Sequence, residues 1–276
     1  MCYNVWNYPH IEGGTFMNNQ KFGPMPLYAL SLGGGAAGFI LRLLMLKLGY
    51  DRHGVQISGH WTYWLLWLLS LGVLGGLAWV CQGMGKRNGR EENRPASLTA
   101  AIGASVAAVM LFGLFFLGLL GEGTALDKVS AALGLMGAMT LGVNGWLRKE
   151  GKENIWAGLL TTMALALHLI ARFRVWATDP LLGDYCFQLL GCVAAMLAAY
   201  HLSGFAIDKG SRRQSLFFSF ACLFFCILNL ADGGRDLLFF GGIGIWQLTN
   251  VCNPAKPRKP RRKLGGGLEE SEGSDT

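Results

Sequence analysis

The chain has 276 residues, 52% of them hydrophobic and 15% charged, with a formal net charge of +7. Soluble domains carry about 25% charged residues. Here the apolar residues come in long blocks that are apolar all round, which excludes a soluble amphipathic bundle and fits segments solvated by lipid. The positive charge lies in short loops and in one run, Lys256 to Lys263, with no basic surface interleaved with aromatics, so a nucleic-acid partner is excluded.

Residues 1–26 are polar and aromatic, and no basic segment precedes an apolar core there, so no signal peptide is expected. Met17-Asn18-Asn19-Gln20-Lys21 has the character of a natural start, which predicts that residues 1–16 are not translated.

A helix needs about 20 mostly apolar residues to cross the hydrocarbon. Leu27–Gly49, Trp61–Cys81, Ser97–Leu120, Leu126–Leu147, Ile155–Trp176 and Leu181–Ile207 meet that length. Leu216–Ala231 and Leu237–Val251 are shorter. They span only with flanking polar residues; the alternative is a re-entrant pair buried in protein. The predicted fold is all-α, a polytopic transmembrane bundle of about eight helices over residues 27–253. Ser58 and Asp127 are placed to cap the second and fourth helices, Asp179-Pro180 to open the sixth, and Gly49 to end the first. Ser211 with Gln214 has capping-box spacing. Trp61, Trp64, Trp79, Trp146, Trp156 and Trp176 fall at helix ends, as interfacial belts require.

With eight crossings, one side holds Lys21, Lys86, Arg87, Arg90, Arg94, Arg148, Lys149, Lys152, Lys209, Arg212, Arg213 and the six basic residues of the tail, which is 17 of the 24 Lys and Arg. Arg42, Lys47, Arg52, Lys128, Arg172, Arg174 and Arg235 occupy the other. The richer side is cytoplasmic by the positive-inside rule, so both termini are expected inside. Residues 254–276, basic and then acidic, cannot bury a core and are expected to form a disordered cytoplasmic tail. The basic half adds about 1 kcal/mol per charge near anionic headgroups.

Ionisable residues carry most of the functional information inside a bilayer. Arg42, His60, His168, Arg172, Asp232 and Arg235 all fall toward the outer interface, together with Arg174, Asp179, Asp184 and Asp236. They predict an outward-facing basic pocket for an anionic small molecule or lipid headgroup. Arg42, His168 and Arg172 would contact the anion, and Asp232 and Arg235 would shape the rim. The competing expectation is that these side chains snorkel and pair with one another. Asn144, His201, Gln247, Asn250, Thr161 and Thr162 are expected to make interhelical hydrogen bonds.

No Asp, Glu or Lys falls at mid-depth in the six long blocks, which argues against a proton or sodium relay and against a lysine-linked retinal. Neither a His-Glu-x-x-His nor a Gly-x-Ser-x-Gly motif is present. The seven cysteines form no Cys-x-x-Cys; Cys222 and Cys226, one turn apart, are expected to be buried and inert. No metal or other cofactor is expected, and the balance is against an enzyme. Gly34/Gly38 and Gly72/Gly76 are Gly-xxx-Gly pairs that suit a homo-oligomer by close helix approach.

Phe173-Arg174-Val175-Trp176-Ala177-Thr178-Asp179-Pro180, Tyr185 to Gln188, Leu197-Ala198-Ala199-Tyr200 and Trp246-Gln247-Leu248-Thr249-Asn250 resemble multi-pass membrane proteins of anaerobic Gram-positive bacteria, a family with no known activity. The resemblance implies a bacterial plasma-membrane location and transfers no catalytic residue. Three functions follow, in order: a non-enzymatic solute- or lipid-handling or sensory component, a membrane-embedded enzyme acting on a lipid with His168 or His60 as acid/base, and a scaffold whose partner binds the tail.

Overall fold

A computed structural model describes residues 25–48, 61–83, 92–93, 96–152, 154–177, 182–207, 210–253 and 256–257. The expected start at Met17, the tail from 258 onward, His60 and the Ser58, Gly49 and Asp179-Pro180 signals lie outside the described residues.

Eight helices form: α1 (Met25–Leu48), α2 (Trp61–Gly83), α3 (Leu98–Leu120), α4 (Ala125–Lys149), α5 (Ile155–Trp176), α6 (Leu182–Ser203), α7 (Arg212–Asn229) and α8 (Gly234–Val251). A π turn, Ala29–Gly33, interrupts α1 where Ser31 Oγ donates to the Phe220 carbonyl of α7 (2.9 Å). Short 3₁₀ segments extend α6 to Ile207 and α7 to Asp232. Extended pairing among the described residues is limited to two residues, Glu92–Asn93 against Lys256–Pro257. The architecture is all-α.

Seven of the helices, all but α8, are long and apolar enough to cross a membrane. Their outward faces carry Trp64, Leu68, Trp79, Val109, Trp146, Trp156 and Met163, the pattern of a surface solvated by lipid. The chain is a multi-pass integral membrane protein. Trp176 departs from the expected belt: it is buried and stacks on Tyr185 with ring centroids 5.3 Å apart.

Helices α3 to α8 close a ring in chain order, with α8 returning to pack on α3, while α1 and α2 dock outside the ring against α7. That makes α7 the most enclosed helix, with 67% of its apolar stretch buried against 28–44% for the other six. Its residues Phe220, Phe224 and Leu228 are fully covered. Lipid is as apolar as a leucine side chain, so close van der Waals packing replaces the hydrophobic drive between helices. On α4, small residues supply that approach: a Cβ on Gly137 would collide with Ala164, and one on Gly145 would lie 2.7 Å from the Ala104 Cβ.

Helices α7 and α8 form a helical hairpin. It turns at Gly233 and Gly234, whose positive φ values (68° and 56°) suit glycine. Helix α8 then returns along α3: Phe239 and Phe115 flank His168 at one end, and Asn253 Nδ2 donates to Thr99 Oγ1 (2.7 Å) at the other. Tyr28 Oη, at the start of α1, donates to the Val251 carbonyl (2.7 Å). Eighteen residues give α8 a length of about 27 Å, close to the hydrocarbon thickness.

Two caps differ from expectation. Thr124 caps α4 and Asp127 sits at its third position, the two forming a reciprocal capping box. Ser211 precedes α7 in extended backbone, but its side chain makes no capping bond. Ser97 and Asn154 cap α3 and α5, accepting from the Ala100 and Trp156 amides.

Gly34 and Gly38 are spent inside the chain. A Cβ on Gly34 would lie 2.6 Å from Val73, and one on Gly38 would lie 3.1 Å from Leu228. Gly76 faces Leu30, whereas Gly72 faces open space. The first pair is therefore not offered to a second copy.

Candidate functional site

Of the predicted residues, Arg42, His168, Arg172, Asp232 and Arg235 lie toward one end of the bundle, where α1, α3, α5 and α7 finish and α8 begins. They separate into two groups. In the first, Arg42 on α1 and Asp232 after α7 form an ion pair, Nε to Oδ1 at 2.9 Å, with side chains only 3% and 7% exposed. Gln188 Nε2 on α6 donates to the other carboxylate oxygen (2.9 Å), and Arg42 Nη1 approaches Met45 Sδ (3.6 Å). This group is a sealed polar clamp between α1, α6 and α7.

The second group lines a cavity of about 330 Å³ inside the helix ring. Arg172 Nη2 donates to Asp236 Oδ1 at 2.6 Å, and the guanidinium lies 5.8 Å from the centre of the Trp176 ring. His168, one turn earlier on α5, is buried between Phe115 (5.3 Å, edge-on) and Phe239 (4.5 Å, tilted). Arg235 stands exposed at the rim. The lining also includes Glu122 and Asp127, the latter accepting from Thr124 Oγ1 and N.

The predicted arrangement is corrected in two respects. Arg42 and Asp232 do not line the cavity that holds His168, Arg172 and Arg235. The cavity is also not basic: its lining carries the carboxylates of Glu122, Asp127 and Asp236 beside Arg172 and Arg235. Two of its carboxylates, Glu122 in the α3–α4 turn and Asp127 in the first turn of α4, carry no site signal in the sequence: Glu122 belongs to no motif, and Asp127 has the spacing of a cap. Their position at the Arg172 end follows from topology alone, since α3 runs out to the end where α5 finishes. Gln188 left no functional signal in the sequence.

The opposite end of the same ring holds a smaller cavity, of about 50 Å³, lined by residues of α3, α4, α5, α6 and α8. Arg148, expected to be a loop charge, is buried there at 6% exposure. Its Nη1 donates to Asn250 Oδ1 and its Nη2 to the Asn253 carbonyl (3.3 Å). Asn144 accepts from the Asn154 backbone amide (3.4 Å), and Asn154 Oδ1 from the Trp156 amide (3.0 Å). Thr161 bridges α5 to α4 through Thr140 (3.1 Å), as expected of an interhelical hydrogen bond. Gln247 does not follow that expectation: it is fully buried, with neither amide atom bonded among the described residues. His201 stacks on Phe218 at 4.7 Å.

On α5, Thr161 lines one cavity and His168 the other, a seven-residue step of about 10 Å along the helix axis. Between them the ring is closed by side chains such as Leu111, Leu165 and Ile243, all buried. Among the described residues no group of three His, Cys, Asp or Glu is placed to hold a metal ion. Cys222 and Cys226 lie buried on α7 with their sulfurs 3.8 Å apart.

No family model matches the chain, and neither the curated proteins nor the solved structures contain a match to it. The geometry thus stands by itself: a membrane-embedded ring of six helices with a polar cavity at each end and two outer helices clamped on through a buried ion pair.

Proposed function

We propose that the protein is a non-enzymatic lipid- or solute-handling component of a bacterial plasma membrane, with both termini cytoplasmic and the Arg172 cavity facing outward. The observation that carries this is the mixed charge of that cavity. Two guanidiniums, Arg172 and Arg235, share it with the carboxylates of Glu122, Asp127 and Asp236, above an apolar wall of Leu114, Phe115 and Val175. A phospholipid headgroup fits such a lining, with its phosphate toward Arg172 and Arg235 and a cationic group toward Glu122 and Asp127. The volume of about 330 Å³ is at the lower end of ligand-sized cavities.

A hydrolytic or transfer reaction is less well supported. His168 is held between two phenylalanine rings, and no carboxylate hydrogen-bonds to it among the described residues. A general acid/base needs such an orienting partner.

Native mass spectrometry of the full chain released from mild detergent tests the proposal. The expected result is a stoichiometric lipid or small solute that is lost in Arg172→Ala while folded protein is retained. A clean apo mass for the unaltered chain would count against it, as would an adduct that survives the substitution.

A further inference from the structure

The second cavity raises a question of charge balance that the first does not. Arg42 and Arg172 each have a carboxylate of their own, Asp232 and Asp236. Arg148 is 94% buried, yet among the described residues no carboxylate pairs with it; Glu150 two residues on pairs with Lys152 instead (3.0 Å). A buried charge is retained only when it is compensated. Two of its nitrogens reach the Asn250 side chain and the Asn253 carbonyl, which partly neutralises the C-terminal end of α8. Nε is buried with no acceptor among the described residues.

Of the other polar groups around this cavity, the Thr161 and Ser203 hydroxyls donate to the Ala157 and Ala199 carbonyls, while Asn144 and Asn154 offer donors to a ligand. Asn144 and Asn154 each use the side-chain oxygen to accept a backbone amide, which leaves their NH₂ groups to face a ligand. Asn154 is exposed and marks the mouth; Arg148 lies at the buried end. A volume of about 50 Å³ holds roughly three or four waters, which is the size of a small inorganic anion and far short of a sugar or nucleotide.

We propose that this cavity is a binding site for a small anion no larger than phosphate, held by Arg148 Nε–H and the Asn144 and Asn154 amides. The anion supplies a countercharge that Arg148 does not find among the described residues. It is either free in solution or the phosphate of a lipid headgroup, and the two sources are separable by experiment.

The full chain in mild detergent is melted while sodium phosphate replaces gluconate at constant ionic strength. A saturable rise in the unfolding midpoint of roughly 3 °C is expected as the site fills. In parallel, mixed micelles containing phosphatidylglycerol replace phosphatidylcholine ones. A rise with phosphate identifies a free anion, and a rise with phosphatidylglycerol alone identifies the headgroup. Arg148→Gln should abolish either response, but it also removes contacts to α8. The decisive variant is therefore Asn154→Asp, since aspartate caps a helix as well as asparagine and places a carboxylate in the cavity. It should melt at least as high as the unaltered chain and no longer respond. No response in the unaltered chain, or an undiminished response in Asn154→Asp, overturns the proposal and leaves Arg148 a cap for α8.

Discussion

Arg42 and Asp232 stand 190 residues apart in the chain and 2.9 Å apart in space, and their ion pair ties α1 to the α7–α8 turn. Removing one member of a buried pair leaves the other uncompensated at a cost of about 3–5 kcal/mol. Arg42→Ala or Asp232→Ala alone should therefore lose most folded protein on mild heating in detergent. Arg42→Met combined with Asp232→Leu should recover much of it, because no lone charge remains. Equal losses in single and double variants would show that the pair contributes shape rather than charge balance.

Arg172 and Asp236 make the opposite prediction. Their side chains are 29% and 21% exposed, so water and headgroups screen the charge that remains when one partner goes. Screened, partly exposed pairs of this kind contribute about 1 kcal/mol. Arg172→Ala should keep its unfolding midpoint within about 3 °C of the unaltered chain, so that loss of a bound headgroup can be separated from loss of fold. A larger fall would assign Arg172 to the same structural class as Arg42.

The glycines of α4 and α2 should respond unequally to one added side chain. Gly137→Val must push α4 away from Ala164, and overpacking of this kind costs about 1–3 kcal/mol. A Cβ on Gly72 meets nothing within 4 Å, so Gly72→Val should be nearly neutral for the monomer. If Gly72 serves contact between copies, the same substitution should remove a dimer peak in native mass spectra.

Orientation is accessible to single-cysteine labelling in a cysteine-free background. Glu122→Cys, in the α3–α4 turn, should react with a membrane-impermeant maleimide on intact cells. Lys149→Cys, at the far end of α4, should react only after permeabilisation. Labelling of Lys149→Cys from outside would invert the topology and place the Arg148 cavity outward.

Much of this protein was legible before any folding. Block length and all-round apolarity were enough to locate the eight helices and their ends to within about four residues, because the bilayer thickness imposes one length on every crossing. The same logic put Arg42, His168, Arg172, Asp232 and Arg235 at one end, since antiparallel crossings alternate and residue depth follows by counting.

Which of those residues share a cavity was settled only by lateral packing. Closing α3 to α8 into a ring brought Glu122, Asp127 and Asp236 around Arg172, and docking α1 outside the ring carried Arg42 away to Asp232. Lateral neighbours depend on which small residues let two helices approach, and a chain with 40 glycines offers far more such pairs than it uses. Arg148 shows the same limit: from its position it is a charge at a helix end, and only five converging helices make it a buried one. Depth in the membrane is a property of one segment at a time, which sequence records; enclosure belongs to several segments at once, and only tertiary structure decides it.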